Sequence, residues 1–238
     1  GQLFDGEILH ATGLGTNVPL SKLNGGRPFV LLDACEETPT VDAVNFPNEE
    51  AERAAMQHLI DRGCRNIAIV GHRFAPRADL AHAQNAFALR LRGACGALSD
   101  AGLPYDESMV FEAGDVANGI IAGHAIAERI LAARSGHGGT EFDGACCAND
   151  FAAFGVIRGL ADRGLRVPQD VKVIGFDGVT SGSYTTPALS TIQVDFTQLA
   201  KFSVDMLSER IDHGTDEALP PRRAIIGYQL VDRESTAV

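Results

Sequence analysis

The chain has 238 residues, 45% hydrophobic and 21% charged, with 26 Gly, 10 Pro and a net charge of −11. That composition excludes disordered, collagen-like and low-complexity classes and leaves room for one large or two modest domains with real cores. The 31 acidic against 20 basic residues make this stretch a poor coat for phosphate backbones, which call for a basic face or stripe.

From the N-terminus, GQLFDGEILHATG has neither a basic n-region nor a small-residue cleavage site, so no secretory signal is read there. Gly6–His10, Pro28–Asp33 and Val41–Phe46 read as strands. Asn48–Arg62 reads as a helix with acids early (Glu49, Glu50, Glu52) and a stop at Gly63, in keeping with the helix dipole. Strand Asn66–Gly71 precedes a long helix, Leu80–Ala101, stopping at Gly102. Strand Ser108–Ala113 and helix Val116–Ala133 follow, then the flexible loop Ser135–Gly139. Strand Gly144–Asn149 leads into helix Asp150–Arg163, with Asp150 as its cap and Gly164 as its end. Strand Val171–Phe176, helix Phe196–His213, a loop over Gly214–Pro221 and strand Ala224–Val231 complete the chain. Several strands are apolar throughout, as parallel strands buried on both faces are. The rhythm predicts an α/β fold with parallel sheets, whose ligands sit beyond strand C-termini. No apolar run reaches the ~18–20 residues of a membrane helix.

The catalytic motifs are mostly negatives. Gly13-Leu-Gly15 begins like a dinucleotide loop, but Val18 stands where the third glycine belongs, so a surface turn is the reading. Neither a GxxxxGK[ST] loop nor a GxSxG elbow occurs, and the seven His make no metal-ligand spacing. Five Cys without a CxxC pair support neither a disulfide framework nor a zinc site; reduced thiols are expected. No enzyme, cofactor or metal reading gains support. Four strands end in polar groups instead, at His10, Asp33, Asn149-Asp150 and Asp177, a donor and acceptor set that suits hydroxyls.

The stretch resembles the effector-binding core of the lactose-repressor (LacI/GalR) family of bacterial transcriptional regulators. The resemblance rests on FDGEIL (Phe4–Leu9), PFVLLD (Pro28–Asp33), HLIDRGCRNIAIVG (His58–Gly71), RLRGACGAL (Arg90–Leu98) and CANDFAAFGVIRGLADRGLRVPQDVKVIGFD (Cys147–Asp177). YTTPALSTI (Tyr184–Ile192) and VDRES (Val231–Ser235) extend it, in family order and to the chain's end. It implies a type I, periplasmic-binding-protein-like fold: two α/β subdomains around a cleft. Residues 1–45 plus 193–221 would form the N-terminal subdomain, and 46–192 plus 222–238 the C-terminal one. Family members begin with a helix-turn-helix headpiece and two further strand–helix units. The first subdomain is therefore expected to be truncated, leaving an unpaired sheet edge.

Ligand contacts carry over one position at a time. Arg90 matches the Arg that grips vicinal hydroxyls; Asn149 and Asp177 fall on strand-end contacts; Asp33 and His10 fall on contacts of the first subdomain; Phe196 falls on an aromatic of the crossing segment. Arg90 is expected to be an exposed cleft residue that matters for affinity and little for folding. Gly178 departs from a frequent second Asp, and Val116 stands where a stacking Trp can occur. Phe74, Phe151 and Phe196 are the alternative stacking groups, and His72–Asp79, in a longer stretch than usual, is expected to form a flap. The resemblance implies a cytoplasmic homodimer that senses a sugar or polyol and controls operator DNA through the headpiece. A periplasmic solute-binding protein of the same fold is the alternative, and an enzyme a third class; the cysteines and the last two motifs favour the regulator branch.

Overall fold

The computed structural model describes residues 4–11, 26–112, 119–135, 142–213 and 219–237, with backbone alone over 131–135. In chain order the elements begin with β1 (Glu7–His10), β2 (Phe29–Leu32), β3 (Ala43–Asn45), α1 (Asn48–Asp61), β4 (Ile67–Val70), α2 (Arg77–Leu80) and α3 (Ala86–Asp100). They continue with β5 (Val110–Phe111), α4 (Gly119–Ser135), β6 (Gly144–Cys147), α5 (Asp150–Asp162) and β7 (Lys172–Asp177). The last are β8 (Ser190–Val194), α6 (Phe196–His213), β9 (Arg223–Ile225) and β10 (Tyr228–Val231). Two compact units result: Gly1–Pro47, Gln84–Ala86 and Asp195–Gly227 in one, Asn48–Ala83, Phe87–Val194 and Tyr228–Val238 in the other.

The smaller unit is a parallel sheet in the order β1-β2-β3-β9, against which α6 packs. Val30, Leu31, Ala43 and Val44 form its buried centre. Asp42, also buried, takes both arms of Arg210 (2.9 and 3.0 Å) and the Arg222 guanidinium (3.1 Å), tying the helix and the last strand to β3. Burial pushes the Asp42 carboxyl up, but the two guanidinium groups outweigh it and hold the acid below its ordinary value. β1 ends the strand order, with Ile8 exposed.

The larger unit has six strands, β10-β8-β7-β6-β4-β5, all parallel except the antiparallel β10–β8 pair. Alternation sends Ala68, Val70, Ala145, Cys147 and Val173 into a core completed by Ile126, Ile130, Val156 and Leu160 of α4 and α5. α4 and α5 approach so closely that a Cβ at Gly123 would lie 2.1 Å from the Ala152 carbonyl. α1 covers β6, β7, β8 and β10. Helix ends fall where the glycines predicted: the amides of Cys64, Leu103 and Leu165 reach back to the carbonyls of Leu59, Leu98 and Leu160, the bond of a Schellman end.

Several expectations are corrected. The strand expected over Ala224–Val231 is two: β9 joins the smaller sheet beside β3, and the chain enters the larger sheet as β10. The return between units therefore lies at Gly227–Tyr228, beyond the expected 221–222. β8 is a strand beyond those expected, its apolar run interrupted by polar Thr191 and Gln193. The helix expected over Leu80–Ala101 begins only at Ala86, as α3; the short α2 ends at Leu80, and Arg92 Nη1 lies 3.4 Å from the carbonyls of Leu80 and Ala81 between the two. Asp150 is not the cap of α5; Asn149 is, its Oδ1 accepting the Ala152 amide at 2.8 Å. Glu52, read as an early acid of α1, is buried beneath the sheet. The Gly13–Val18 turn, Val116 and most of the Ser135–Gly139 and Gly214–Pro221 loops lie outside the described residues.

Candidate functional site

In the larger unit the strand C-termini gather one polar constellation. Arg90, on the second turn of α3, is only 7% exposed, contrary to the expectation of an exposed residue. Its helical neighbours Gly93, Ala94 and Ala97 are small and buried, so this face of α3 lies close in and carries the guanidinium with it. Nε donates to Asn48 Oδ1 at 2.8 Å and Nη1 to the Ala148 carbonyl at 2.5 Å. The guanidinium carbon stands 3.7 Å from the centroid of the Phe176 ring. With two edges fixed and one face covered, the fork has a single orientation, and Asp177 Oδ1 lies 4.0 Å from Nη1.

Asp177 ends β7 at φ 110, a conformation that L side chains rarely adopt. Gly178 follows at φ 78, where a Cβ would lie 2.6 Å from Gln193 Cα, so the turn requires glycine at this position. Asn149 spends its Oδ1 on the α5 cap, which leaves its amide N–H groups as the part able to meet a ligand. Asp150 is fully buried, bonded to the Thr191 hydroxyl at 2.6 Å and the Val179 amide at 2.7 Å. Burial pushes its carboxyl up to about 6, against the pull of these bonds, the Gly178 amide and the Arg233 charge.

In the smaller unit, His10 and Asp33 sit at the C-terminal ends of neighbouring parallel strands. His10 is exposed; Asp33 is buried, at φ 60, and accepts the Phe46 amide at 3.4 Å. Phe196 opens α6 about half-exposed, its ring edge-on to Phe46 with centroids 6.1 Å apart. Of the other stacking groups, Phe74 is stacked on Tyr105, while Phe151 is 46% exposed. The expected flap is tied down: Tyr105 Oη donates to the Ala75 carbonyl at 2.7 Å and Arg77 to the Cys95 carbonyl at 3.1 Å.

Sequence reasoning missed Asn48 and Phe176, which orient Arg90, and a buried pair, Glu52 and His72. His72 Nε2 lies 3.6 Å from Glu52 Oε1, which accepts the Cys146 thiol at 3.4 Å. Glu52 Oε2 and both ring nitrogens of His72 lack a hydrogen bond among the described residues. Glu52 shares the helical phase of Asn48, Ala55, Met56 and Leu59, so a charge on the core stripe of α1 was the available signal. Cys146 and Cys147 are held inert by burial, which drives their thiols well above the ordinary value. An open pocket of about 660 Å³ also lies at the opposite end of this sheet, lined by Val167, Pro168, Lys172, Thr186, Pro187 and Glu234 among others. Its lining side chains are half-buried or exposed, and it contains none of the strand-end carboxylates, so the Arg90 constellation is the better candidate. Among the described residues no cluster of His, Cys, Asp or Glu could hold a metal, and no helix is long and apolar enough to cross a membrane.

A model of the periplasmic binding protein-like domain family matches residues 56–236. The HTH-type transcriptional repressor PurR of Aliivibrio fischeri (strain ATCC 700601 / ES114) is 30% identical over 208 residues, 87% of this chain and 58% of the relative. The chain thus spans little more than half the length of the curated relatives it matches. Among solved structures, one assigned to the LacI family of transcriptional regulators, from Sanguibacter keddieii DSM 10542, superposes with a TM-score of 0.83 at 34% identity, covering 98% of this chain and 80% of that one. A LacI-family regulator from Enterococcus faecium with bound ribose gives 0.77 at 26% identity, covering 98% and 80%. Matched by the family model over most of its length, the chain belongs to the periplasmic-binding-protein-like domain family, as a LacI-family effector-binding core.

Proposed function

We propose that this chain is the sensor of a LacI-type transcriptional regulator and binds a small polyhydroxylated effector, a sugar or polyol, through Arg90, Asp177 and Asn149. One observation carries the reading: a guanidinium fixed on two edges and one face, beside a strand-end carboxylate held at φ 110. A preset donor fork next to an acceptor suits vicinal hydroxyls, which need both, and preorganisation spares the ordering cost of binding. Phe151 offers an exposed ring for an apolar sugar face. His10, Asp33 and Phe196 are proposed as further contacts from the smaller unit. The ribose bound by the Enterococcus faecium relative supports the sugar class.

The effector acts only through its differential affinity for two conformations of the regulator. DNA contact is assigned to a headpiece outside these residues, in keeping with the net charge of −11. A homodimer working in the cytoplasm, with no catalytic turnover, completes the proposal. The test is calorimetric titration with a panel of pentoses, hexoses, disaccharides and polyols. At least one is expected to bind to the wild type and to lose roughly 100-fold or more in affinity on Arg90→Lys, which cannot reproduce the bidentate fork. Binding that survives Arg90→Lys, or a panel without any binder, refutes it.

A further inference from the structure

Asp150 is a fully buried carboxylate whose surroundings are built around it. Oδ1 takes the Thr191 hydroxyl at 2.6 Å from β8, and Oδ2 takes the Val179 amide at 2.7 Å. The Gly178 amide also draws the Asp150 carboxyl toward its ionised form. Room for it exists because residue 175 of β7 is glycine: a Cβ there would lie 2.2 Å from Oδ1. The turn so held, Asp177–Gly178–Val179, contains two consecutive positive φ angles, 110 and 78. An aspartate at φ 110 persists only where its surroundings impose that geometry.

We propose that Asp150 is the positioning residue for Asp177: anchored by Thr191 and accepting the Val179 amide, it holds the strained turn that presents the Asp177 carboxylate beside Arg90. The inference rests on the reading of Asp177 as an effector contact, but its mechanics are testable without effector. Asparagine at 150 keeps the pattern, because its amide nitrogen donates to the Thr191 oxygen while its carbonyl accepts the Val179 amide. Alanine leaves the Val179 amide without its acceptor and the turn without its anchor.

Amide hydrogen exchange of the ligand-free protein, read at Gly178 and Val179, decides it. Relative to amides that exchange by global unfolding, Asp150→Ala is expected to speed these two by about 10-fold or more, and Asp150→Asn by less than about threefold. Adding Asp177→Gly to Asp150→Ala should slow exchange again, since glycine adopts the turn without strain. That rescue separates positioning of Asp177 from a general packing role. Thr191→Val, which removes one bond and keeps the volume, is expected to speed exchange a few-fold and serves if Asp150→Ala does not fold. Unchanged exchange in Asp150→Ala or Thr191→Val, equal effects of Ala and Asn, or no rescue by Asp177→Gly overturns the proposal. These outcomes are independent of the sugar panel, whose failure would overturn the effector reading alone.

Discussion

Replacing Arg90 by alanine should unfold the larger unit more readily as well as abolish effector binding. The side chain is only 8% exposed, and it supplies two donors to buried acceptors. A hydrogen bond to a charged group contributes about 1.5–3 kcal/mol net, so the two give roughly 3–6 kcal/mol. The face-on contact with Phe176 adds on the order of 1 kcal/mol. Against this stands relief from burying a cation, several kcal/mol in magnitude, which the ion pair with Asp177 only partly offsets. Truncation also leaves Asn48 Oδ1 and the Ala148 carbonyl without this donor, so the net cost is set at about 3 kcal/mol. For a unit of this size that lowers the melting temperature by roughly 6–12 °C. Differential scanning calorimetry of wild type and Arg90→Ala without ligand measures it. A drop under about 2 °C would refute the reasoning and restore Arg90 to the exposed, ligand-only role expected from the sequence.

Three further outcomes follow from the same constellation. Asp177→Gly and Asp177→Ala delete the same carboxylate, so their difference reports the strain at φ 110; the glycine variant should be more stable by about 1–2 kcal/mol in urea unfolding, and equal stabilities would show that no strain is stored. The raised acid of Asp150 sets a pH signature: between pH about 4 and about 6 the folded protein holds a proton that the unfolded chain has released, so this group's contribution to stability falls as pH rises through that window. Asp150→Asn, which cannot ionise, should therefore match wild type near pH 4 and exceed it by on the order of 3 kcal/mol at pH 7, with Cys147 and Arg233 as the other titratable neighbours; a gap independent of pH sinks the argument. His72→Leu should cost about 3 kcal/mol by leaving the buried Glu52 with the Cys146 thiol alone, and the double variant Glu52→Leu/His72→Leu should cost less than either single change. Additive losses in that double-mutant cycle would show that the two side chains do not interact.

The strand–helix rhythm was readable because it is local. Buried parallel strands such as Ile67–Val70 are continuous apolar runs, and helices that end in Gly63, Gly102 and Gly164 place an apolar residue next in line for the Schellman bond. What the sequence hid depends on partners far along the chain. Arg223–Ile225 and Tyr228–Val231 look like one strand until β3 claims the first and β8 the second. Arg90, with Arg92 two positions on, looks like a solvated helix face; only the spacing of Gly93, Ala94 and Ala97 marks that side as inward. Likewise Asn149 and Asp150 are equally good caps by type, and the choice falls to Asn149 because Thr191 and Val179 take the Asp150 carboxylate.

The site breaks local rules in one place. Asp33 and Asp177 are the two non-glycine residues with positive φ among those described, and each stands at or just past the C-terminal end of a parallel strand. In the larger unit a strained aspartate, a buried cation, a buried acid raised to about 6 and the Glu52–His72 pair occur together, and none of them is what packing alone would choose. Sequences normally agree with their fold at every level, and departures persist where function requires them. Selection for thermal stability at pH 7 should therefore accumulate substitutions at Asp177, Asp150 and Glu52 ahead of the apolar core around Val156 and Ile130. Substitutions at Asp177 should lose sugar binding as stability rises, whereas Asp150→Asn should keep it, because the asparagine preserves the turn. A selected pool rich in core changes and empty at these three positions would mean that the constellation costs the fold nothing.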